Sequence, residues 1–188
     1  MTAKFPIVFC ATLALAAPAV AQEAQVCAQA GHLMEGVVVT YENGGSDTFK
    51  RDIRDPAVVV LEAELAGERM GLVRRAHGYI DLSILGPHGE SVVFDYGMVP
   101  AEMPEPEADT SWEVVATVTT PEGAATERQI FTYGATGSLT IRDCRWDIVP
   151  VTLTLSDHAE ESYWFPDLGI ATPAGEDIRE ITPLVLMP

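Results

Sequence analysis

Apolar and polar residues alternate along much of the chain with the two-residue period of half-buried β-strands. Residues 79–85 show this period clearly because Asp81 and Ser83 alternate with apolar neighbours, and residues 151–155 alternate valine and leucine with threonine. The period of an amphipathic helix is nearly absent. The pattern therefore predicts an all-β fold.

Two hairpins are predicted from their turn residues. Residues 37–41 are dense in β-branched side chains, and Asn43 is followed by two glycines that supply the positive φ angles of a tight turn. Residues 112–120 alternate in the same way, and the chain returns over 128–133 after a Pro and Gly turn. Further strands are predicted at 57–65, 70–76, 92–96, 138–141, 146–155 and 162–165, and the tail is predicted to hold at most one helical turn near 176–180.

About eight to ten short strands predict a single antiparallel meander that forms a barrel, a half-barrel or a sandwich. Little helix is expected outside the signal peptide, and residues 22–188 are predicted to form one β-rich domain. Residues 100–109 hold three prolines and four acidic residues without an apolar pattern. They are interpreted as an extended, solvated surface loop within that domain.

The first residues of the chain have the pattern of a secretory signal peptide. Lys4 precedes an apolar run, and the small-residue triplet Ala19, Val20 and Ala21 predicts cleavage near Ala21–Gln22. The run is shorter than the roughly 20 apolar residues that a membrane-spanning helix needs. The sequence therefore predicts an exported protein, periplasmic or secreted, that does not span the membrane.

The charge of the chain argues against nucleic acid as a partner. The sequence holds 11 basic and 28 acidic residues, for a formal net charge of -17 at pH 7. Binding to a phosphate backbone depends on neutralisation by Lys and Arg. No nucleic-acid partner is expected, and anionic lipid headgroups are disfavoured for the same reason.

Two of the three cysteines, Cys27 and Cys144, follow the predicted cleavage site. An oxidising compartment allows them to form a disulfide, and only one pairing is available. A loop of this length would restrict the unfolded chain by about 4 to 5 kcal/mol in the entropic account. The alternative is a pair of buried free thiols.

The histidines do not have the spacing of a metal site. His32, His77, His88 and His158 match neither H-E-x-x-H nor a related pattern, and no cofactor is predicted. His32 and Met34 form the one close pair suited to a soft metal, and the alternative is a surface loop with a core-filling methionine. The acidic loop 100–109 lacks the turn glycine and alternate ligands of a calcium loop.

A hydrolytic site has no recognisable nucleophile, because no G-x-S-x-G sequence is present. His77 with Asp81, or His88 with Glu90, has the residue types of a base and its orienting carboxylate. A small periplasmic hydrolase or metal-handling protein that uses His77, His88 and nearby carboxylates is therefore kept as the alternative function. No catalytic residue is assigned.

Three consecutive aromatic residues form the candidate ligand or partner surface. In a strand, Tyr163 and Phe165 face one way and Trp164 the other, so both faces of the sheet must be partly covered there. One interpretation is that Trp164 fills a core together with Trp112 and Trp146. The other is that one face lines an apolar cavity or a partner groove.

The aromatic stretch and the cysteine-bearing strand before it resemble a pattern known from other proteins. Residues 163–169, after the cysteine-bearing residues 143–146, resemble a pattern seen in exported bacterial β-rich proteins of uncharacterised function. The predicted meander is similar in broad outline to the half-barrels of periplasmic lipoprotein carriers. The second resemblance rests on architecture alone and implies no functional residue. The expected function is a non-enzymatic exported domain that binds an apolar small molecule or a cell-envelope protein.

Overall fold

The structure is a computed structural model that describes residues 26–184. The predicted signal peptide and its cleavage site lie outside these residues. Within them, no helix is long and apolar enough to cross a membrane. The helical content of this part of the chain is two short 3₁₀ helices, Ala30–Met34 and Pro100–Glu102.

Thirteen β-strands make up most of the described chain, which confirms the all-β prediction. They are β1 Val37–Tyr41, β2 Gly45–Arg51, β3 Val58–Leu65, β4 Glu68–Ala76, β5 Ile80–Leu85, β6 Ser91–Asp95, β7 Ser111–Thr120, β8 Gly123–Tyr133, β9 Gly137–Ile141, β10 Cys144–Thr154, β11 Ala159–Phe165, β12 Ile170–Pro173 and β13 Ile178–Pro183.

The strands form a single antiparallel sheet, as the meander predicts. Their spatial order is β12-β11-β10-β8-β7-β6-β5-β4-β3-β2-β1-β13, and β9 pairs with β10 beside this path. Neighbours along the sequence are neighbours in space from β1 to β8. The sheet is open, with β12 and β13 at its two ends, so the closed barrel among the three predicted forms is not adopted.

The C-terminal region differs from its prediction. Residues 178–180 of the segment predicted to hold at most one helical turn belong to β13, which pairs with β1 through Val39 and Ile181. Ile181 is fully buried by this pairing. Within residues 175–183 the large apolar side chains are Ile178 and Ile181, three positions apart, which does not match the two-residue period of a strand. Pairing with the edge of β1 decides the conformation of this segment.

The edge strand β12 returns to the middle of the sheet. The backbone nitrogen of Ala171 donates a hydrogen bond of 3.1 Å to the carbonyl oxygen of Gly78, in the turn between β4 and β5. Gly78 has a φ of +75°, and a Cβ atom at this position would overlap the carbonyl oxygen of Gly169. The close approach therefore requires glycine, and it curls the sheet around an interior.

The curled sheet encloses two core clusters. The first contains Leu33, Val37, Phe49, Trp146, Phe165 and Ile181, and the second contains Tyr79, Tyr96, Phe131, Tyr133, Val151 and Trp164. Strand β11 contributes to both because its side chains alternate between the two faces of the sheet. Phe165 is fully buried in the first cluster, and Trp164 is 8% exposed in the second.

The predicted disulfide is present between Cys27 and Cys144. Their Cα atoms are 5.7 Å apart, which suits a disulfide, and the residues are 117 positions apart in the sequence. The bond joins the segment before the first 3₁₀ helix to the first residue of β10. It thereby fastens the start of the described chain to the first core cluster, in which Cys144 is buried.

The acidic loop 100–109 is more firmly attached than its sequence predicts. Its carboxylates Glu102, Glu105 and Glu107 are exposed, but Met103 is 4% exposed and lies in the second core cluster. The hydroxyl of Tyr79 also donates a hydrogen bond of 2.6 Å to the carbonyl oxygen of Pro104. The loop is therefore anchored to the interior through Met103 and Pro104, which the prediction of a solvated surface loop did not include.

Candidate functional site

The curled part of the sheet contains a cavity of about 500 Å³, which is called the central cavity below. Its lining comes from the consecutive strands β4 to β8 and from β10, β11 and β12. The return of β12 to the β4–β5 turn is what places these strands around one space. The cavity has an apolar wall, a buried polar end and an acidic opening.

The apolar wall is formed by side chains from five strands, β5, β6, β7, β8 and β10. Phe131 is 2% exposed and stacks on Trp112 with ring centroids 5.3 Å apart, and the edge of Tyr79 contacts it at 5.8 Å. These ring contacts hold the wall in one arrangement. The apolar lining residues include Ile84, Phe94, Val118, Phe131, Val151 and Leu153.

An ion pair between Arg75 and Asp81 begins the polar end. The Nε atom of Arg75 donates a hydrogen bond of 2.7 Å to Oδ1 of Asp81, and its Nη1 donates one of 3.3 Å to the carbonyl oxygen of Ala171. Burial by itself lowers the Arg75 pKa, but the charge and the hydrogen bond of Asp81 raise it by more, so the Arg75 pKa lies above its ordinary value. The guanidinium therefore stays charged, and its charge is matched by a carboxylate.

Neutral hydrogen-bonding groups continue the polar end. The Tyr96 hydroxyl lies 3.0 Å from Oε1 of Gln129 and 3.1 Å from the carbonyl oxygen of Asp81, and Gln129 Nε2 donates a bond of 2.8 Å to Glu127. Gln129 is only 2% exposed. Burial raises the pKa of Tyr96, so its phenol remains a donor.

Thr172 completes the polar end and lacks a partner. This residue borders the central cavity, but it is fully buried, and the strand pairing places its side chain on the face shared by Tyr163 and Ile170. Its Oγ1 has no hydrogen-bond partner among residues 26–184. A buried hydroxyl without a partner costs free energy, so most such groups bind something. The residues of the polar end are Arg75, Asp81, Tyr96, Gln129 and Thr172.

The opening of the central cavity lies where the sheet is incomplete. Strand β8 pairs with β10 only through residues 130–133, so within the described part of the chain residues 123–129 pair with β7 alone. A surface depression of about 470 Å³ occupies this gap, between the free edge of β8 and Ser156 in the β10–β11 turn. Val118 and Glu127 line both spaces, so the depression lies next to the cavity.

The opening is acidic. Exposed Glu160 and Glu161 stand on β11 at its side, and Glu127 lies between the opening and the polar end. His158 is held by Asp157 at 2.7 Å and by Glu160 at 3.2 Å. These hydrogen bonds raise the His158 pKa, Asp157 contributing first, so its positive charge is already matched by carboxylates.

A second polar pair, Tyr41 and Asp47, lies near enough to Arg75 for its charge to act on Asp47. The Tyr41 hydroxyl donates a hydrogen bond of 2.6 Å to Oδ2 of Asp47, beside a small cavity of about 170 Å³. Burial raises the Asp47 pKa above its ordinary value, and this outweighs the opposite effects of the Tyr41 bond and the Arg75 charge. The interior polar groups thus extend from one core cluster to the other.

The aromatic triplet does not line the central cavity. Trp164 donates a hydrogen bond of 3.3 Å to the carbonyl oxygen of His77 and borders a separate cavity of about 180 Å³ together with Glu105. Phe165 lies in the first core cluster, against which half-buried Tyr163 packs. The two faces are therefore covered as the alternation predicts, and the structure places each of these rings against a core cluster.

The histidines of the alternative function are not brought together. Nδ1 of His77 lies 3.3 Å from Glu105, while the backbone nitrogen of His88 donates to Glu90 at 3.1 Å. They stand at opposite ends of β5, whose six residues span about 20 Å. Asp81, the predicted partner of His77, is bonded to Arg75 instead.

The other predicted pair has no metal-binding geometry. His32 Nδ1 accepts a hydrogen bond of 2.9 Å from the backbone nitrogen of Gln29, at the start of the first 3₁₀ helix, and Met34 is 59% exposed. Across the described residues, no group of three or more His, Cys, Asp or Glu side chains is placed to hold a metal ion.

Sequence reasoning missed the residues of the polar end, apart from naming Asp81 with another partner. The available signal was a polar side chain at an inward position of a strand, such as Gln129 two residues before buried Phe131. The β4–β5 pairing is irregular between Arg74 and Arg75, where β5 has one extra residue, Leu82. Arg75 therefore pairs with Asp81, which alternation alone does not predict.

Comparison of the chain with models of protein families, with curated proteins and with solved structures finds no match in any of the three, so its function is argued from the central cavity.

Proposed function

We propose that this protein is an exported binding domain that holds an apolar small molecule in the central cavity. The observation that carries the proposal is the cavity itself, which residues of eight strands border and which has an aromatic and aliphatic wall. Its volume falls within the range of about 300 to 1,000 Å³ that is typical of small-molecule sites.

The residues of the wall support binding more than simple core packing. A protein interior is normally filled to near crystal density, and voids larger than a water molecule are few. The central cavity is many times larger than one water, whose share of liquid volume is about 30 Å³. An apolar occupant would restore the dispersion contacts that Phe94, Leu153 and their neighbours lack.

The proposal of export has two supports. The N-terminal sequence has the pattern of a cleaved signal peptide, and the Cys27–Cys144 bond is of a kind that persists in oxidising compartments. Mass spectrometry of the protein recovered from its native cell envelope tests this part. A polypeptide beginning near Gln22 is the expected result, and a chain that retains the leader would contradict it.

The binding proposal is tested with N-phenylnaphthylamine, a neutral apolar dye that fluoresces in dry sites. The purified protein is expected to enhance its fluorescence with saturation at one dye per chain. Val118→Trp should abolish this signal, because Val118 lines both the cavity and its opening. Val115→Trp is the matched control, since Val115 lies three residues earlier on the same strand, is 58% exposed and faces outward.

Equal dye affinity in the wild type and in Val118→Trp would contradict binding in the central cavity. Both variants are checked for the wild-type melting temperature, so a folding defect is recognised. An absence of dye binding to the wild type would overturn the proposal.

A cell-envelope protein is the second candidate partner, and one observation favours it. Residues 123–129 of β8 present an edge that no strand in the described chain covers. Extended segments of partner proteins add to such edges through backbone hydrogen bonds. Thr126→Pro would remove a backbone donor from this edge, and loss of a co-purifying partner with unchanged dye binding would support the second candidate.

A further inference from the structure

We infer that the uncovered edge of β8, residues 123–129, binds an extended segment of a partner protein, which adds to the sheet as a strand and places a Lys or Arg side chain beside Glu127. The inference rests on the second candidate function, whose partner it specifies, and it does not require a small molecule in the central cavity. Three features support it: the direction of the free backbone groups, the lack of protection at this edge and the charge around it.

The backbone groups that face the gap are identified by two hydrogen bonds at the end of β8. The Tyr133 nitrogen donates a bond of 3.0 Å to the carbonyl oxygen of Thr110, on the side of β7. The next nitrogen, of Gly134, donates one of 2.8 Å to Pro150, on the side of β10. Successive residues alternate in this way, and the β7–β8 pairing is regular throughout. The N–H and C=O groups that point into the gap therefore belong to Ala124, Thr126 and Arg128.

The gap has room for another strand. Strand β10 pairs with β8 as far as Thr154, after which the Leu155 nitrogen donates to the carbonyl oxygen of His158 and the chain turns back into β11. The depression of about 470 Å³ then follows residues 122–128 as far as Ser156. An added strand would run antiparallel to β8, about 4.8 Å from it, in the place that β10 leaves.

This edge lacks the features that protect two other edges of the sheet. Strand β12 has four residues and ends in Pro173, and β13 has six and ends in Pro183. Short length, proline and bulges all hinder the addition of a further strand. Residues 123–129 contain no proline, and they pair with β7 residue by residue without a bulge. The edge of β8 is therefore open to strand addition in a way that β12 and β13 are not.

The charges beside the gap favour a basic partner. Glu122 and Glu127 line the depression, and the Gln129 amide holds the Glu127 carboxylate with a hydrogen bond of 2.8 Å. The cation in the lining, Arg128, is already bound by Glu113 at 2.7 and 2.8 Å. A strand paired with β8 would bring one of its side chains next to Glu127 on the same face, where a positive charge is favourable.

The pairing also predicts the residue that accompanies the basic one. Ala125 pairs with Val118, and both line the depression, so the partner side chain opposite Ala125 would meet an apolar surface. An antiparallel strand passes Glu127 first and Ala125 two residues later. The expected segment therefore has Lys or Arg followed two positions later by an apolar residue.

A second copy of this chain is disfavoured as the occupant. Pairing of two β8 edges would bring Glu122 and Glu127 of both copies to one place, and each chain has a formal net charge of -17. Like charges on paired strands are destabilising. A basic segment of another protein avoids this repulsion.

The inference is tested with the peptide acetyl-Thr-Lys-Thr-Val-Thr-Val-Thr-amide and with the same peptide in which glutamate replaces lysine. Affinities are measured by isothermal titration calorimetry at neutral pH and low salt. The lysine peptide is expected to bind at least about five-fold more tightly, and this preference should shrink in high salt. NMR should show slower hydrogen exchange at the amides of Ala124 and Thr126 when the peptide is bound, because both would donate to the added strand.

The pairing is located by one substitution and its control. Thr126→Pro removes a donor from the middle of the edge, and proline is tolerated at edge positions whose N–H faces solvent. Peptide binding should be lost, while the melting temperature stays close to that of the wild type. Thr126→Val keeps the N–H and should bind the peptide as the wild type does.

The charge is located by a second pair of variants. Glu127→Gln keeps the side-chain shape and should bring the two peptides to equal affinity. Glu107→Gln is the control and should leave the preference unchanged. Glu107 is an exposed carboxylate that precedes the start of β7, whereas the gap lies at the end of that strand, about 30 Å away.

The outcomes separate the inference from the small-molecule proposal. Equal affinity of the two peptides for the wild type would overturn the basic partner. Peptide binding that persists in Thr126→Pro, or no peptide binding to the wild type, would overturn strand addition. A wild-type dimer that becomes a monomer in Thr126→Pro would assign the edge to a second copy and overturn the inference. Binding of N-phenylnaphthylamine is measured separately, so failure of the peptide leaves the central cavity as a ligand site.

Discussion

The backbone nitrogen of Ala171 lies 3.1 Å from the carbonyl oxygen of Gly78, and this hydrogen bond joins an edge strand of the sheet to a turn at its middle. The bond is reinforced by Nη1 of Arg75, which donates to the carbonyl oxygen of Ala171. An open sheet thereby acquires an interior without a continuous ladder between its ends. The central cavity depends on this contact.

Gly78→Ala should weaken the fold by about 3 kcal/mol. An alanine at a φ of +75° costs about 1 to 2 kcal/mol, and the overlap of its Cβ with the backbone of Gly169 adds a similar amount. The measurement is urea unfolding followed by tryptophan fluorescence. Binding of N-phenylnaphthylamine should be lost at urea concentrations at which the first core cluster is still folded.

Gly89→Ala is the control for this prediction. Gly89 also has a positive φ, +89°, but no atom lies within 4 Å of the position of its Cβ. Its substitution should cost only the backbone term of about 1 to 2 kcal/mol. Equal effects of the two substitutions would contradict a close approach between Gly78 and Gly169.

Replacement of Cys27 and Cys144 together by serine should lower the free energy of unfolding by about 4 to 5 kcal/mol, because the long loop that they close is no longer restricted in the unfolded chain. The comparison is made by urea unfolding with and without reductant. Reductant should destabilise the wild type and leave the double variant unchanged. Identical wild-type curves under the two conditions would contradict the bond.

Asp47→Asn should raise stability at neutral pH by an amount that disappears as the pH falls. Because the Asp47 pKa is raised in the folded state, folding favours its protonated form. Its unfavourable contribution is therefore absent below the unfolded pKa, about 3.9, grows as the pH rises from there to the folded pKa, and is complete above the folded pKa. Asparagine is neutral throughout and still offers the Tyr41 hydroxyl an oxygen.

The measurement for Asp47 is the difference in unfolding free energy between wild type and variant, at several pH values between about 4 and 8. Asp167→Asn, at an exposed position between β11 and β12, is the matched change of charge. A difference for Asp47→Asn that does not vary with pH, or a variant less stable than the wild type at neutral pH, would show that burial does not disfavour its charge.

Trp164→Ala should destabilise the protein by about 3 to 5 kcal/mol, the usual cost of removing a large aromatic side chain from a core. Trp164 is 8% exposed and its indole nitrogen donates to the carbonyl oxygen of His77. Tyr163→Ala, at a half-buried position beside it, should cost less. The contrary result would be a folded Trp164→Ala variant that has wild-type stability but no longer binds N-phenylnaphthylamine. It would place the ligand site at the aromatic triplet, residues 163–165.

The sequence by itself determined the strands up to β11, the two hairpins and the cysteine pairing. Strand alternation is a local property, since the pleat sends successive side chains to opposite faces, and the two cysteines after the predicted leader allowed one bond. The same reasoning assigned Phe165 and Trp164 to opposite faces, which is where they lie. Each of these conclusions depends on residues close in sequence or on residue type.

The tertiary structure alone decided the curl of the sheet, the strand β13 and the polar end of the cavity. The contact of Arg75 with Ala171 joins residues 96 positions apart, and β13 exists because it pairs with the edge of β1. No local period encodes such contacts, because they depend on how the whole sheet closes around its interior. Thr172 is a neutral strand residue in the sequence, and it becomes an unpartnered buried hydroxyl only when β12 reaches Gly78.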